Sequence, residues 1–161
     1  MSYKVNYNTL ITYAQTSLQG DTTVTGLVDS DRILTQDYLL GGKLPAILIQ
    51  SVSKRSENPV GVGNVPTEVT LALPIKIVCF SKDTAGQNRD PGEIQTEAYN
   101  IADEVERVIR EEALDWDSDG DYKDVVPARL LPDYEILSEE KGIFYFTLTI
   151  EVEFTKRLAS S

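Results

Sequence analysis

The sequence predicts an α+β domain, in which a mainly antiparallel β-sheet carries helices packed on one face. Two stretches repeat apolar residues at helical spacing, and several others alternate apolar and polar residues as half-buried strands do. The chain has 161 residues, the size of one ordinary domain, so we expect a single domain over residues 1–161. Hydrophobic residues make up 41% and charged residues 25%, a balance typical of soluble globular proteins.

The first helix is predicted within VNYNTLITYAQTSLQG, which starts at Val5. Asn6 is suited to cap its N-terminus, and Val5 and Leu10 occupy the two positions of a hydrophobic staple. Gly20 is a natural stop for this helix. Its apolar face is expected to contain Leu10, Ile11, Ala14 and Leu18. Residues 21–44 follow as a predicted long loop.

Two strands with a loop between them are expected next. The block 46–52 is short, apolar and partly β-branched, which predicts a strand. Residues 53–66 are rich in glycine, proline and asparagine, which predicts a long loop. In the following strand Pro74 indicates an edge or a bulge, because proline brings no backbone donor to a ladder. One face of that strand is predicted to present Val69, Leu71, Leu73, Ile75, Ile77 and Cys79.

The clearest helix is predicted in DPGEIQTEAYNIADEVERVIREEAL, which starts at Asp90. Asp90 is the expected N-cap, Pro91 suits the first turn, and Glu93 completes a capping-box pattern. The apolar stripe consists of Ile94, Ala98, Ile101, Ala102, Val105, Val108 and Ile109. A stripe of this length predicts that the helix lies on a flat apolar surface.

The chain closes with a predicted β-hairpin, DYEILSEEKGIFYFTLTIEVEFTKR, whose turn lies at residues 139–142. The last strand is expected to pack an apolar face against the helices, formed by Phe144, Phe146, Leu148, Ile150, Val152 and Phe154. Its other face is predicted to carry Tyr145, Thr147, Thr149, Glu151 and Glu153. That second face is too polar for a core, so we expect it to serve contact with another subunit.

The stretch DWDSDGDYKD, residues 115–124, resembles part of a calcium-binding loop. Asp115, Asp117, Asp119 and Gly120 fit the first positions of an EF-hand loop. The twelfth position is Val126, which offers no oxygen ligand, and no second helix is expected. We therefore interpret the stretch as a solvated acidic loop without a metal site. A small calcium-binding module that uses residues 115–121 stays open as an alternative from a different class.

Residues suited to catalysis are few. The chain has no histidine, so the usual Ser–His and Cys–His relays cannot be built. The only cysteine, Cys79, is predicted on the apolar face of a strand, where thiols are usually inert. Acidic residues are abundant, which leaves a hydrolase without histidine as a further alternative. We predict that the protein is not an enzyme, with no catalytic residue, no metal site and no cofactor.

The net charge is −11, from 26 Asp and Glu against 15 Lys and Arg. Such a charge repels phosphate backbones and anionic lipid, so we expect neither sequence-specific nucleic-acid binding nor membrane binding. The N-terminus lacks the apolar block of a secretory signal, and a single cysteine fits a reducing compartment. The sequence therefore predicts assembly in a cytoplasm.

Four features together resemble the tail terminator, or tail completion, proteins of long-tailed bacteriophages. They are the opening amphipathic helix, the strand LPAILIQ, the strand VTLALPIKIVCFSKD followed by a helix of the IADEVERVI kind, and the final strand GIFYFTLTIEVEF. The resemblance covers most of the chain from residue 6 to residue 156. It implies a virion protein at the head-proximal end of the tail, which forms a hexameric ring. Such a ring caps the tail tube, stops its polymerisation and offers a surface for head or neck attachment.

The resemblance also implies partners, namely further copies of the chain, the tail tube protein, neck or connector proteins and, in contractile tails, the sheath protein. Another head–tail connector or neck protein is the alternative within this class. We expect Lys54 and Arg55 to pair with glutamates of a neighbouring subunit. Apolar residues of the predicted loop are further contact candidates, namely Val60, Val62 and Val65. On the last strand, the contact candidates are Tyr145, Thr147 and Thr149.

Overall fold

The computed structural model describes residues 4–39, 44–59, 66–83, 85–116 and 122–158. Three α-helices are present in this part of the chain: α1 (Tyr7–Gly20), α2 (Thr22–Leu27) and α3 (Pro91–Glu112). Short 3-10 turns cover Ser30–Arg32 and Ala113–Asp115. The strands are β1 (Ile33–Leu34), β2 (Ala46–Ile49), β3 (Ser53–Pro59), β4 (Pro66–Phe80), β5 (Tyr122–Ser138) and β6 (Ile143–Arg157).

The strands form one six-stranded sheet in the order β1-β2-β4-β6-β5, and β3 also pairs with β4. The β1–β2 pair is parallel and the others are antiparallel. α1 contacts β1 and β2, while α3 contacts β4, β6 and β5. The predicted α+β class, with a mainly antiparallel sheet that packs against helices, is confirmed.

The predicted buried faces are confirmed on the sheet and on both long helices. Each inward residue predicted on β4 is fully buried, as is every residue of the predicted α3 stripe. On α1, Leu10, Ala14 and Leu18 are buried, and Ile11 packs partly buried against the same core. On β6 the alternation holds with two exceptions, since Phe144 is only partly buried near the hairpin turn and Thr147 is buried on the outer face. The core therefore lies between these helices and one face of the sheet.

The capping predictions differ in outcome between the two long helices. Asp90 caps α3, because its side chain accepts from the N–H of Gly92 at 2.8 Å. Asn6 directly precedes α1, but its side chain makes no capping hydrogen bond. A side-chain cap requires extended backbone at this position, and Asn6 has left-handed angles of φ 60° and ψ 56°. Its backbone carbonyl instead accepts from the N–H groups of Thr9 and Leu10.

The prediction of a long loop over residues 21–44 is wrong for residues 22–27 and 30–34. The segment contains α2, a 3-10 turn and β1. Asp21 starts α2, because its Oδ1 accepts from the N–H groups of Thr23 and Val24, both at 3.0 Å. The Arg107 guanidinium on α3 holds both oxygens of the same carboxylate, at 2.8 and 2.9 Å. Asp21 thus joins the short helix to the long one.

The prediction of a loop over residues 53–66 is wrong for residues 53–59, which form β3. This strand has the sequence SKRSENP and shows no apolar alternation. It is held by its backbone ladder to β4, from the Ser53–Ala72 pair onwards, and that ladder requires no apolar side chains. Residues 60–65 lie outside the described part of the chain.

Pro74 lies in an interior strand, although its presence indicated an edge or a bulge. β2 ends at Ile49 and β3 begins at Ser53, so the partner of β4 changes beside Pro74. The carbonyl of Pro74 accepts from the N–H of Gln50 at 2.9 Å across this junction. The nitrogen and carbonyl of a strand residue point to the same side, so the missing N–H also falls at the junction. Proline therefore costs the sheet no ladder bond here.

The hairpin turn at residues 139–142 is confirmed, but β5 begins at Tyr122, well before the expected strand. At the far end of the hairpin Lys156 is buried. Its Nζ donates to the carbonyl of Val5 at 2.8 Å and lies 5.2 Å from the centre of the Tyr122 ring. This contact joins the beginning of the described chain to its last strand.

Candidate interaction surface

The edge strand β5 exposes large apolar side chains along its length. β6 pairs with one side of β5, and no strand within the described ranges pairs with the other side. Seventeen residues form this strand, which is long for an edge. The exposed large apolar residues on it are Val126, Leu130, Leu131, Tyr134, Ile136 and Leu137. An exposed apolar edge of this kind marks a contact surface.

Three of these side chains lie on the face of the sheet that carries the helices. Leu130, Tyr134 and Ile136 are opposite Ile150, Phe146 and Phe144 of β6, whose side chains face the core. Directly opposite residues share a face of the sheet. α3 covers β6 but leaves this part of β5 open to solvent, and the exposed Tyr99 of α3 lies next to it. We call the set Tyr99, Leu130, Tyr134 and Ile136 the apolar ledge.

Tyr134 is held in place within the ledge by its neighbours. Its ring lies 4.9 Å from that of Phe146 and 5.7 Å from that of Phe144, measured between centroids. Its hydroxyl accepts from Nε2 of Gln95 on α3 at 2.6 Å. Tyr99 lies 6.3 Å from the same Phe146 ring. A ring fixed in this way loses little conformational entropy when a partner covers it.

Two prolines lie on the free side of β5. The N–H of Ser81 donates to the carbonyl of Phe144, so the N–H and C=O groups of Phe144 point toward β4. The same holds for every second residue of β6 that follows Phe144. Pro132 and Pro127 are opposite Leu148 and Val152, which belong to this set. The backbone polar groups of the two prolines therefore point away from β6, toward the free edge. The free edge therefore lacks two N–H donors. Proline at such positions opposes pairing with a further strand.

A groove opens on the opposite flank of α3, where this helix meets α2. Its volume is about 650 Å³. Its floor includes Leu27 at the end of α2 and Ile101 of α3. Its remaining lining residues are Gly92, Thr96, Asn100 and the carboxylates Asp90, Glu93 and Glu97. We call it the α2–α3 groove. It is large enough to accept bulky side chains and has an acidic rim.

The contact candidates on β6 lie on the outer face of the sheet, as expected from the alternation. Tyr145 and Thr149 are half-buried there, and the Tyr145 ring lies 5.1 Å from that of Phe80. Thr147 is only 5% exposed, and its hydroxyl donates to the carbonyl of Asp133 at 3.4 Å. Thr147 therefore offers a partner little surface. The larger exposed apolar area is on the neighbouring strand β5.

The predicted basic pair on residues 54 and 55 is already satisfied within the chain. Lys54 forms an ion pair with Glu57 on the same strand, and this pair raises the pKa of Lys54. Arg55 forms an ion pair with Glu151 of β6. Both bases therefore have partners within the chain, because β3 lies beside β4 and close to β6, and their pairing with a neighbouring subunit stays a prediction. The other loop candidates, Val60, Val62 and Val65, lie outside the described residues.

Few side chains in the described residues are suited to catalysis or metal binding. Asp115 is exposed, and residues 117–121 of the acidic loop lie outside the described part. No group of three or more histidine, cysteine, aspartate or glutamate side chains that could hold a metal ion is found in the described part. Cys79 is fully buried, and burial together with the nearby Glu97 raises the pKa of its thiol far above the ordinary value. Such a thiol is a packing residue.

No protein-family model matches this chain, and no curated protein matches it. Within the described residues, none of the helices is both long enough and apolar enough to span a bilayer.

The sequence prediction missed the exposed surface of β5. The stretch VVPARLLPDYEIL contains enough strand-forming residues for a strand, but its two prolines and two adjacent leucines interrupt the alternation. A signal was nevertheless present, because proline is tolerated on the free side of an edge strand. An apolar stretch with prolines at positions 127 and 132, next to a long alternating strand, therefore predicts an edge.

Proposed function

We propose that the protein is a structural assembly protein of a bacteriophage virion, a tail terminator that forms a closed ring. The ring caps the tail tube, stops the addition of further tube subunits and offers the surface to which the head or neck attaches. Its mechanism is surface complementarity, with no bond made or broken. The partners are further copies of the chain, the tube protein and neck proteins, with the sheath protein in a contractile tail.

The observation that carries this proposal is the exposed apolar surface of β5. A chain that acts alone rarely leaves six large apolar side chains exposed on one edge strand. A long edge strand that exposes apolar side chains on both faces of the sheet fits a protein built to be covered by others. The resemblance of the element pattern to tail terminators then supports the kind of assembly.

The charge of the chain also supports a ring around a DNA passage. The net charge is −11, and acidic side chains lie in the turn between β5 and β6 and on the rim of the α2–α3 groove. A negatively charged inner wall repels the phosphates of DNA that passes through the ring, so the DNA is not retained. Glu139 and Glu140 in the turn are exposed and contribute to this field.

A tube-capping experiment tests the proposal. Purified tube subunits of the same phage are allowed to polymerise with and without this protein, and tube lengths are measured in negative-stain images. We expect shorter tubes with a ring at one end, and a ring mass near six times 17.9 kDa, or about 107 kDa. Tubes of unchanged length with no ring attached would refute the terminator proposal. A ring that binds the portal end and leaves tube length unchanged would favour a connector.

A further inference from the structure

The α2–α3 groove lies where the short helix α2 ends beside the long helix α3. Asp21, which caps α2, holds Arg107 of α3, and Leu27 at the other end of α2 lines the groove together with Ile101. α2 therefore runs antiparallel to α3. It rises about 9 Å and α3 rises about 33 Å, so α2 ends well before the beginning of α3. Val28 directly after α2 is buried in the core, and the groove occupies the space beyond α2.

One wall of the groove is formed almost entirely by the first turns of α3. Apart from Leu27, every described lining residue belongs to residues 90–101, which span about 17 Å along the helix. Leu27 is 40% exposed and supplies apolar surface, whereas Ile101 beneath it is already buried. Thr96 and Asn100 are exposed and add polar groups. The groove is thus mainly polar, with one apolar side chain at its end.

The charge along this groove is negative. Asp90 and Glu93 are exposed, and neither forms an ion pair within the described ranges of the chain. Glu97 pairs with Arg89, which offsets its charge. The base of α3 nearest to Glu93 in sequence is Arg107, about 21 Å away along the helix. This distance is about twice the screening length of about 10 Å at 0.1 M ionic strength, so Arg107 does not neutralise the groove.

The spacing and sign of these carboxylates select the kind of partner. Asp90, Glu93 and Glu97 span about 10 Å along α3, and in the described part of the chain they form no group that could hold a metal ion. They are therefore spaced for several groups of one segment. A second copy of this chain has a net charge of −11, and its exposed edge strand carries Asp133 and Glu135, so like charges would meet. A positively charged segment is attracted instead.

We propose that the α2–α3 groove binds an arginine- or lysine-bearing segment of a different protein, which lies along the beginning of α3 beyond the end of α2. Basic side chains of this segment meet Asp90 and Glu93, and an apolar side chain covers Leu27. Arginine suits the site best, because its planar guanidinium binds a carboxylate through two hydrogen bonds. The contact goes beyond the proposed function, because it names the chemistry of one partner and does not require a ring.

Binding of a designed basic peptide tests the groove. The probe is a fluorescein-labelled peptide of about 12 residues, the helical length of the groove, with arginine at every third or fourth position and leucine and alanine between. The control peptide has glutamate in place of each arginine. Fluorescence anisotropy is measured against protein concentration at low and at high salt. We expect the arginine peptide to bind, its binding to weaken as salt rises, and the glutamate peptide not to bind. Absence of binding by the arginine peptide at low salt would overturn the proposal.

Variants of the groove separate a specific contact from attraction by net charge. Glu93→Lys should weaken binding about 2- to 30-fold, because it reverses one charge of the groove. Glu139→Lys changes the net charge equally, and Glu139 is exposed in the hairpin turn outside the groove, so binding should stay almost unchanged. Leu27→Ala keeps the charge and should weaken binding about 3- to 10-fold through lost apolar surface. Equal effects of the two lysine substitutions, or no effect of Leu27→Ala, would overturn the contact. An unchanged circular dichroism spectrum establishes that each variant is folded.

Backbone amide chemical shifts in NMR spectra locate the bound peptide. The largest changes are expected at Leu27, Thr96 and Asn100, which line the groove. Changes confined to β5 would place the peptide on the apolar ledge and overturn the groove as its site. Tube capping is decided separately. A protein that caps tubes but binds no peptide keeps the terminator proposal and loses this contact, whereas peptide binding without capping supports the contact and refutes the terminator proposal.

Discussion

Asp21 supports the fold through two sets of contacts, and its replacement by alanine gives a defined loss. Its carboxylate accepts from two N–H groups at the start of α2 and from the Arg107 guanidinium on α3. Loss of an N-cap costs about 1 kcal/mol, and a partly exposed ion pair contributes about 0.2–1 kcal/mol. We therefore expect Asp21→Ala to lower the free energy of unfolding by about 1–2 kcal/mol.

Urea unfolding followed by tryptophan fluorescence measures this loss. Trp116 is the only tryptophan; it is buried against Phe154, and its indole N–H donates to Oγ of Ser17 at 2.7 Å. Unfolding exposes it to water and shifts its emission. With a slope of about 2 kcal/mol per molar urea, the midpoint should fall by about 0.5–1 M.

Asp29→Ala is the matched control for Asp21→Ala. Asp29 precedes the 3-10 turn at Ser30–Arg32, but its side chain makes no capping hydrogen bond. Its replacement should change the midpoint very little. If both substitutions shift the midpoint equally, loss of negative charge explains the effect, and the reasoning from the cap and the Arg107 contact is refuted.

The effect of Asp21→Ala should depend on pH in a defined direction. The Arg107 guanidinium, followed by the N–H of Val24, lowers the pKa of Asp21 below its ordinary value of 3.8. The carboxylate therefore stabilises the fold above pH 3.8, and this contribution is lost as the pH falls through the lower pKa of the folded protein. The difference between wild type and Asp21→Ala should be constant from pH 7 to pH 5 and shrink below pH 3.8. A difference that grows in acid would contradict this assignment.

Three further predictions concern the core, the thiol and the acidic loop. Ile150→Ala should cost about 2–5 kcal/mol of unfolding free energy because Ile150 is fully buried, whereas Ile136→Ala at low protein concentration should cost less than about 1 kcal/mol. Similar urea midpoints for these two variants would contradict the assignment of inner and exposed positions. Cys79 should resist a thiol-specific reagent in the native protein and react once urea unfolds the chain, because burial raises its pKa and blocks access. Rapid reaction without denaturant would show that β4 opens readily. Calcium should leave the melting temperature unchanged, because residues 115–121 form only half of an EF-hand pattern; a rise in melting temperature would favour the calcium-binding alternative.

The long regular elements could be predicted because burial imposes a period on their sequences. α3 repeats apolar residues from Ile94 to Ile109, over about four turns, and β6 alternates from Phe144 to Phe154. These patterns are strong because each element packs one face against the core. The capping role of Asp90 followed from residue type alone, since Asp before proline at a helix start has few other uses.

The edge strands could not be predicted in the same way. β3 is polar throughout and is held by its backbone ladder, so no apolar period marks it. β5 leaves both of its faces partly exposed, and Pro127 and Pro132 interrupt its pattern. The ion pair between Asp21 and Arg107 joins residues that are far apart in the chain, and local sequence patterns do not predict such a contact. The candidate surface consists largely of these edge residues.

The contact between Lys156 and Val5 has a practical consequence for experiments on assembly. It places the beginning and end of the described chain side by side, at the end of the hairpin remote from its turn. β6 rises about 3.3 Å per residue, so this site is about 45 Å from the turn. Dyes attached to the exposed residues Lys4 and Arg157, which adjoin this contact in the chain, would therefore lie at the same pole of the molecule. Such a pair of dyes should transfer energy efficiently within one copy, and this intramolecular signal must be subtracted before distances between copies are measured.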